Sequence, residues 1–170
     1  LYVKHATASK ILIHSNSDSA GIEASLFFKS VNTGEAANAE RAKGAIIFEG
    51  DGTGHGPGKL HFCMDSASDT GNVVIGEAKM TILNTGNVGI GTGSPDDKLH
   101  VVGNLFLEDG SPEITFETTS SSYYNWQIAA QEFTSQSLQF AVGSADADAS
   151  NDTFVPLMTI KSDGKVGIGT

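Results

Sequence analysis

Residues 80–92 read MTILNTGNVGIGT, and residues 158–170 read MTIKSDGKVGIGT. Nine of the thirteen positions are identical, and both copies place a turn between two short apolar segments. Within those segments apolar side chains alternate with polar or small ones, which is the period-2 pattern of half-buried strands. Asn84 and Gly86 tolerate the left-handed backbone that such turns need. The stretch therefore predicts a hairpin that occurs twice in the chain.

The repeat extends upstream of the hairpin. The same offset of 78 residues relates Leu60 to Leu138 and Phe62 to Phe140, whereas the triplets 1–3 (LYV) and 99–101 (LHV) are 98 residues apart. The first copy is thus longer by 20 residues, and the extra residues lie before Leu60. We predict two copies of one module, at residues 1–92 and 99–170, joined by a linker at 93–98.

The composition predicts an all-β chain. The 170 residues include 20 glycines, about 12 % where ~7 % is usual, and the glycines separate short apolar runs. Turn residues fill the gaps between those runs, as in the segment 162–165 (SDGK). Residues 34–43 favour helix but lack an apolar stripe, so an exposed loop or a single helical turn is expected there. Residues 50–58 are predicted to form an extended, glycine-rich loop.

Charge and cysteine content exclude several classes of function. Twenty acidic and ten basic residues give a net charge of -10, which argues against nucleic-acid binding and against anionic lipid surfaces. Cys63 is the only cysteine, so an intrachain disulfide and a multi-cysteine zinc site are excluded; we expect it to be buried. The sequence contains no run of 18 apolar residues, so no membrane-spanning segment is predicted. The sequence starting at Leu1 lacks the basic and apolar regions of a signal peptide. The chain is expected to be a fragment of a longer protein.

The repeated motif predicts association between chains. A strand with glycine at alternate positions normally packs closely against another backbone. A 60–80-residue β module with few large apolar side chains is marginally stable alone. We therefore expect glycine faces of identical copies to meet about a shared axis that Val and Ile side chains fill. The motif residues are Gly86, Val88, Gly89, Ile90 and Gly91 in the first copy and Gly164, Val166, Gly167, Ile168 and Gly169 in the second.

Residues 86–95 (GNVGIGTGSP), followed by 98–101 (KLHV) and Gly103, resemble the GNVGIGTxSPxxxLxVxG repeats of tail fibres and tail spikes of tailed bacteriophages. Such repeats often precede a chaperone domain of the endosialidase type. The resemblance implies an elongated, intertwined homotrimer of β-prism or β-helix type, located in the virion. It further implies neighbouring fibre domains as partners and recognition of a host-surface glycan or protein.

Three functions follow as hypotheses. The favoured one is a structural and adhesive segment of a virus tail fibre or spike that spaces or contributes to receptor binding. The alternative is a bacterial or other cell-surface adhesin built from the same repeat. The third is a glycan depolymerase, which needs two carboxylates about 5–9 Å apart. Glu113, Glu117 and Glu132 are the only strand-like acids near aromatics, and no spacing marks a pair, so neither an enzyme nor a cofactor is predicted.

Acidic and imidazole side chains suggest metal sites only weakly. Asp146, Asp148 and Asp152 alternate in a polar segment and could surround Ca²⁺, but the loop glycine and terminal glutamate of an EF-hand are missing. A solvated hairpin loop is favoured there. His61 and His100 are each the middle residue of a strand triplet, so solvent-facing or intersubunit positions are expected. One such histidine per chain on a trimer axis could alternatively gather a metal ion or an anion.

One aromatic cluster could bind a ligand. Tyr123, Tyr124 and Trp126 alternate with or adjoin amide side chains, and aromatic faces beside amides suit sugar stacking and hydroxyl hydrogen bonds. Trp126 is more simply interpreted as a core residue of a strand. Tyr123 or Tyr124 is the better candidate for an exposed ring.

Overall fold

The computed structural model describes residues 12–13, 15, 19–29, 42–53, 57–67, 71–145 and 148–169. The chain divides into two compact units, Leu1–Asn104 and Leu105–Thr170. Across the described residues the regular structure consists of strands and two short 3-10 helices, Ile75–Glu77 and Ala149–Asn151. The all-β prediction is confirmed. No helix in this part of the chain is long and apolar enough to cross a membrane.

The first unit contains one open sheet of six strands in chain order. The strands are β1 (Glu23–Phe28), β2 (Gly44–Gly50), β3 (Gly58–Met64), β4 (Ala78–Leu83), β5 (Val88–Ile90) and β6 (Leu99–Val101). Neighbouring strands are antiparallel, except that β5 and β6 are parallel.

The second unit contains one open, antiparallel sheet of five strands, also in chain order. The strands are β7 (Glu113–Phe116), β8 (Tyr124–Ala130), β9 (Ser137–Ala145), β10 (Val155–Lys161) and β11 (Val166–Ile168). Strands β7–β11 therefore have the same order as β1–β5, and β6 is the additional strand of the first sheet.

The sequence repeat is also a structural repeat. Leu60 lies opposite Ile82 and Phe62 opposite Met80, while Leu138 lies opposite Ile160 and Phe140 opposite Met158. The hairpins after them share one register as well, since Met80 pairs with Ile90 and Met158 with Ile168. Strands β3–β5 and β9–β11 are thus equivalent at the offset of 78 residues.

The structure locates the 20 extra residues of the first copy. Sixteen positions separate the paired ends Phe28 and Gly44, against ten for Phe116 and Trp126. Twelve positions separate Phe48 from Leu60, against eight for Ala130 and Leu138. The remaining ten extra residues precede β1. The first module is therefore longer in two connections and in the segment before β1, and its strands β1–β5 correspond to β7–β11.

The predicted turns form at the predicted places. Gly86 and Gly164 have φ of +81° and +84°, and each donates its N–H to the carbonyl three residues earlier at 2.9 Å. Of the glycine-rich loop, Gly50 and Gly58 are paired at the ends of β2 and β3, and residues 54–56 lie outside the described residues. Most of the predicted loop at 34–43 also lies outside them.

Each sheet has one covered face. In the first unit the covered face contains a small core of Ala45, Ile47, Cys63 and Val73. Ile47 is fully buried, and burial of such a side chain contributes about 2–3 kcal/mol to folding. Cys63 is buried as predicted, and burial raises the pKa of its thiol, with the Glu23 and Glu77 carboxylates adding to the effect.

Candidate assembly interface

The opposite face of the first sheet is apolar and open to solvent. Because residues that pair across strands share a face, the register defines two apolar rows that cross the sheet. The six strands span about 24 Å at the usual spacing of about 4.8 Å. The rows, called here the first apolar face, are Leu26, Ile46, Phe62, Met80, Ile90 and Val101, and Phe48, Leu60, Ile82, Val88 and Leu99.

The second sheet presents the same kind of face. Ile114, Ile128, Phe140, Met158 and Ile168 form a row across all five strands. Flanking rows complete the second apolar face with Ala130, Leu138, Ile160 and Val166 on one side and Phe116, Trp126, Val142 and Val155 on the other. None of the large side chains in either face is buried.

The distribution of apolar side chains in the second unit is the reverse of that in an ordinary monomeric domain. Its covered face holds the amide side chains of Asn125, Gln127 and Gln139, all at most 8 % exposed. Its apolar face leaves Trp126 46 % and Ile168 75 % exposed. Contiguous exposed apolar surface of this extent marks an interaction site. The predicted core position of Trp126 is wrong for the single chain, because no described residue covers the apolar face of β8.

Gly89 and Gly91 of the first motif lie close to backbone atoms of their own chain, and the predicted glycine contact between chains stays a prediction. Gly89 faces away from the first apolar face, and a Cβ atom there would lie 2.4 Å from the carbonyl oxygen of Thr92 in the same chain. Gly91 has φ of +74°, and a Cβ atom there would lie 3.0 Å from Val102 O. The close backbone approach is therefore made within one chain, by the segment that follows β5. The apolar motif positions Val88 and Ile90 belong to the apolar face.

His61 is buried, and the expectation of a solvent-facing or intersubunit position is wrong. Its side chain is 3 % exposed and lies on the covered face. Its Nδ1 lies 3.1 Å from Thr81 Oγ1 and its Nε2 lies 3.1 Å from Glu49 Oε2. Both ring nitrogens are therefore engaged inside the chain.

His61 pairs with Thr81, Thr81 pairs with Gly89, and Gly89 pairs with His100. Because paired residues share a face, His100 lies on the same side of the sheet as His61. Its Nδ1 accepts a hydrogen bond from the Asp96 N–H at 3.3 Å, and its side chain is 32 % exposed. The contact fixes the turn before β6. Neither histidine lies on an apolar face, so neither reaches an axis that such faces would surround.

Asp152 connects three parts of the second unit. Its Oδ2 accepts a hydrogen bond from Asn125 Nδ2 at 2.9 Å, and its Oδ1 accepts from the Ser144 N–H at 3.0 Å and from the Ser144 hydroxyl. The Ser144 hydroxyl and then the Asn125 amide lower the pKa of Asp152. A Cβ atom at Gly143 would lie 2.1 Å from Asp152 Oδ2, so glycine makes room for this carboxylate.

Of the other two candidate calcium ligands, Asp148 lies within the described residues and has a different contact. Asp148 accepts a hydrogen bond from the Ser150 N–H at 3.0 Å and caps the following 3-10 helix. Asp146 lies outside the described residues. No group of three His, Cys, Asp or Glu within the described ranges could hold a metal ion. The contacts of Asp148 and Asp152 are those of a loop held by carboxylates, and the calcium hypothesis stays a prediction for Asp146.

The aromatic candidates are exposed. Tyr123 and Tyr124 are 68 % and 60 % exposed at the start of β8, and Trp126 follows on the same strand. The burial pattern places Tyr124 and Trp126 on one face of β8. Sugar stacking on these rings stays a prediction. Glu113, Glu117 and Glu132 are also exposed.

None of the protein-family models matches this chain. No curated protein is significantly similar to it. The two apolar faces are accordingly the feature on which a function can be argued.

Proposed function

We propose that this chain is a structural and adhesive segment of a trimeric virus tail fibre or spike. In this proposal three copies pack their apolar faces around a common axis, first unit against first unit and second against second. The observation that carries the proposal is the presence of the same exposed apolar face, in the same strand register, in both units. Association removes those faces from water.

The energetics favour association of copies. Each half-exposed Val, Ile, Leu or Phe side chain that becomes buried contributes about 1 kcal/mol, and the two faces together carry more than twenty apolar side chains. That sum greatly exceeds the stability that the small core of Ala45, Ile47, Cys63 and Val73 supplies. Three sheets that each turn one apolar face toward a common axis form a prism with an apolar interior. The covered faces then lie on the outside. The number three rests on the resemblance of residues 80–103 to bacteriophage fibre repeats.

The repeat supports a fibre. Strands β1–β5 and β7–β11 share their order and their apolar face, whereas two connections and the segment before the first strand differ in length. A constant framework with variable loops suits a shaft that spaces a receptor-binding tip and displays loops to the host surface. The exposed ring of Tyr123 is the proposed contact for a host glycan or protein, whereas Tyr124 lies on the face of β8 that carries Trp126.

The molar mass of the chain in solution tests the proposal. We expect light scattering at micromolar concentration to give three times the 17.7 kDa of one chain. Val155→Asp should dissociate the trimer, because it brings three carboxylates into an apolar interior. Val74→Asp is the matched control, since Val74 is 56 % exposed, Val155 is 53 % exposed, and Val74 lies outside the apolar faces.

A monomeric mass for the unaltered chain would refute the trimer. Equal effects of Val155→Asp and Val74→Asp would show that the apolar face is not the interface. The virion location has its own test, which is detection of peptides from this chain in purified virus particles.

A further inference from the structure

Strand β6 belongs to the second module by sequence but completes the sheet of the first unit. Leu99 pairs with Val88 and Val101 pairs with Ile90, both in parallel. The Val88 N–H donates to Lys98 O at 2.9 Å, and the Val102 N–H donates to Ile90 O at 2.9 Å. The last hairpin strand of one module therefore holds the first strand of the next.

Strand β11 repeats the backbone of β5. The pairs Met80–Ile90 and Met158–Ile168 occupy the same register. After the strand, Gly91 and Gly169 have φ of +74° and +68°, and each donates its N–H to a carbonyl of the preceding strand, at 2.9 and 2.8 Å. The geometry that presents the outer edge of β5 to β6 is thus also present in β11.

The outer edge of β11 has no paired strand within the described residues. Lys165 and Gly169 hydrogen-bond to β10, so the alternation of an antiparallel ladder directs the backbone groups of Val166 and Ile168 away from it. Val166 and Ile168 are 55 % and 75 % exposed, whereas Ile90, which β6 flanks, is 39 % exposed. An open edge of this kind is a template for strand addition.

We propose that the edge of β11 receives, in parallel, the first strand of a further module. The occupant has the apolar–polar–apolar pattern of residues 99–101. Its outer positions extend the second apolar face beyond Ile168 and Val166, as Val101 and Leu99 extend the first beyond Ile90 and Val88. Its middle residue lies beside Gly167, as His100 lies beside Gly89. The added strand joins the sheet of one module to the next module. This strand pairing does not depend on the formation of a trimer.

The proposal is tested by extending the chain after Thr170 with a copy of residues 93–103 (GSPDDKLHVVG). The matched control carries the same extension with aspartate at the positions that copy Leu99 and Val101. Amide hydrogen exchange of Val166 is compared between parent, extended and control chains, with Val88 as the internal reference. We expect exchange at Val166 to slow by about tenfold or more in the extended chain only.

A Leu99→Asp variant of the parent chain verifies the readout, because loss of β6 should accelerate exchange at Val88. Unchanged exchange at Val166 in the extended chain would overturn the proposal, and so would equal slowing in the control. It would also be overturned if Val166 in the parent were already protected as strongly as Val88. These results are independent of the molar mass, so failure of the strand addition and failure of the trimer are distinguishable.

Discussion

The two units share their exposed face and differ in their covered face. In the first unit the covered face combines Ile47 and Cys63 with His61, whereas the second unit has Ala129, Ala141 and Gln139 in the equivalent positions. The exposed faces consist of apolar side chains in both. A covered face can thus be built from apolar groups or from amides, but the open face keeps one chemistry. This difference indicates that the requirement common to both modules lies on the open face.

The largest effect is expected from replacing a buried apolar side chain on the covered face of the first unit by the smaller alanine that the second unit has at the equivalent position. Ile47→Ala should lower the free energy of unfolding of the first unit by about 2–4 kcal/mol, because the side chain is fully buried and leaves a cavity. The loss should not depend on protein concentration. Amide exchange in β2 and β8 would measure the two units separately.

Ile46→Ala is the matched control on the adjacent residue, which belongs to the apolar face. It should cost the single chain less and should weaken association instead, so its effect should grow on dilution. Equal and concentration-independent effects of the two substitutions would show that the faces do not have separate roles.

An intermediate effect, with opposite signs in the two units, is expected from the buried polar side chains. His61→Leu should destabilise the first unit by about 1–3 kcal/mol, because Thr81 and Glu49 lose their hydrogen-bond partner. Gln127→Leu should stabilise the second unit by about 1 kcal/mol or less, because the buried Gln127 Oε1 has no hydrogen-bond partner among the described residues. Urea unfolding of both variants would measure the free energies. Destabilisation by Gln127→Leu would show that this amide is paired in the folded protein.

The smallest effects are expected from the carboxylates of Asp65 and Asp152. The Lys43 ammonium and then the Ala67 N–H lower the pKa of Asp65, whereas the neutral Ser144 and Asn125 side chains lower the pKa of Asp152. Both values fall below the ordinary 3.8, so each ionised form favours the folded state. Their contributions should be present above pH 3.8 and disappear as the pH falls through the lowered values. Asp65→Asn and Asp152→Asn should each reduce this acid dependence.

Salt should distinguish the stability effects of the two substitutions Asp65→Asn and Asp152→Asn. High ionic strength screens the contact between Lys43 and Asp65, so the difference between Asp65→Asn and the parent should shrink. The difference for Asp152→Asn should remain, because its partners are uncharged. Urea midpoints at low and high salt measure both differences. A salt-sensitive Asp152→Asn would contradict the assignment of its partners.

Much of the fold was predictable from local pattern. The hairpin at residues 80–92, its repeat at 158–170 and the turn glycine Gly86 follow from period-2 alternation and from the backbone freedom of glycine. The apolar positions of the strands were predictable too, because pairing across strands keeps alternate residues on one face. The burial of Cys63 followed from its place in such a strand.

The candidate site was less predictable. Trp126 was expected in a core, since large apolar side chains in strands usually are, and only the sheet shows that none of the described residues covers its face. His61 was expected to face solvent or another subunit, and its burial depends on Glu49 and Thr81, which approach from neighbouring strands. Period 2 separates two faces of a strand but does not say which one the rest of the chain covers.

The sequence by itself determined the all-β class, the two repeated hairpins and the alternation of side chains, because these depend on interactions between near neighbours. The tertiary structure decided that the amides of Asn125, Gln127 and Gln139 are covered while the apolar rows stay open. It also decided that Gly91 approaches Val102 of its own chain, and that residues 99–101 complete the sheet of the first unit. Those outcomes depend on contacts between distant segments, and the connections that bring such segments together carry no periodic signal.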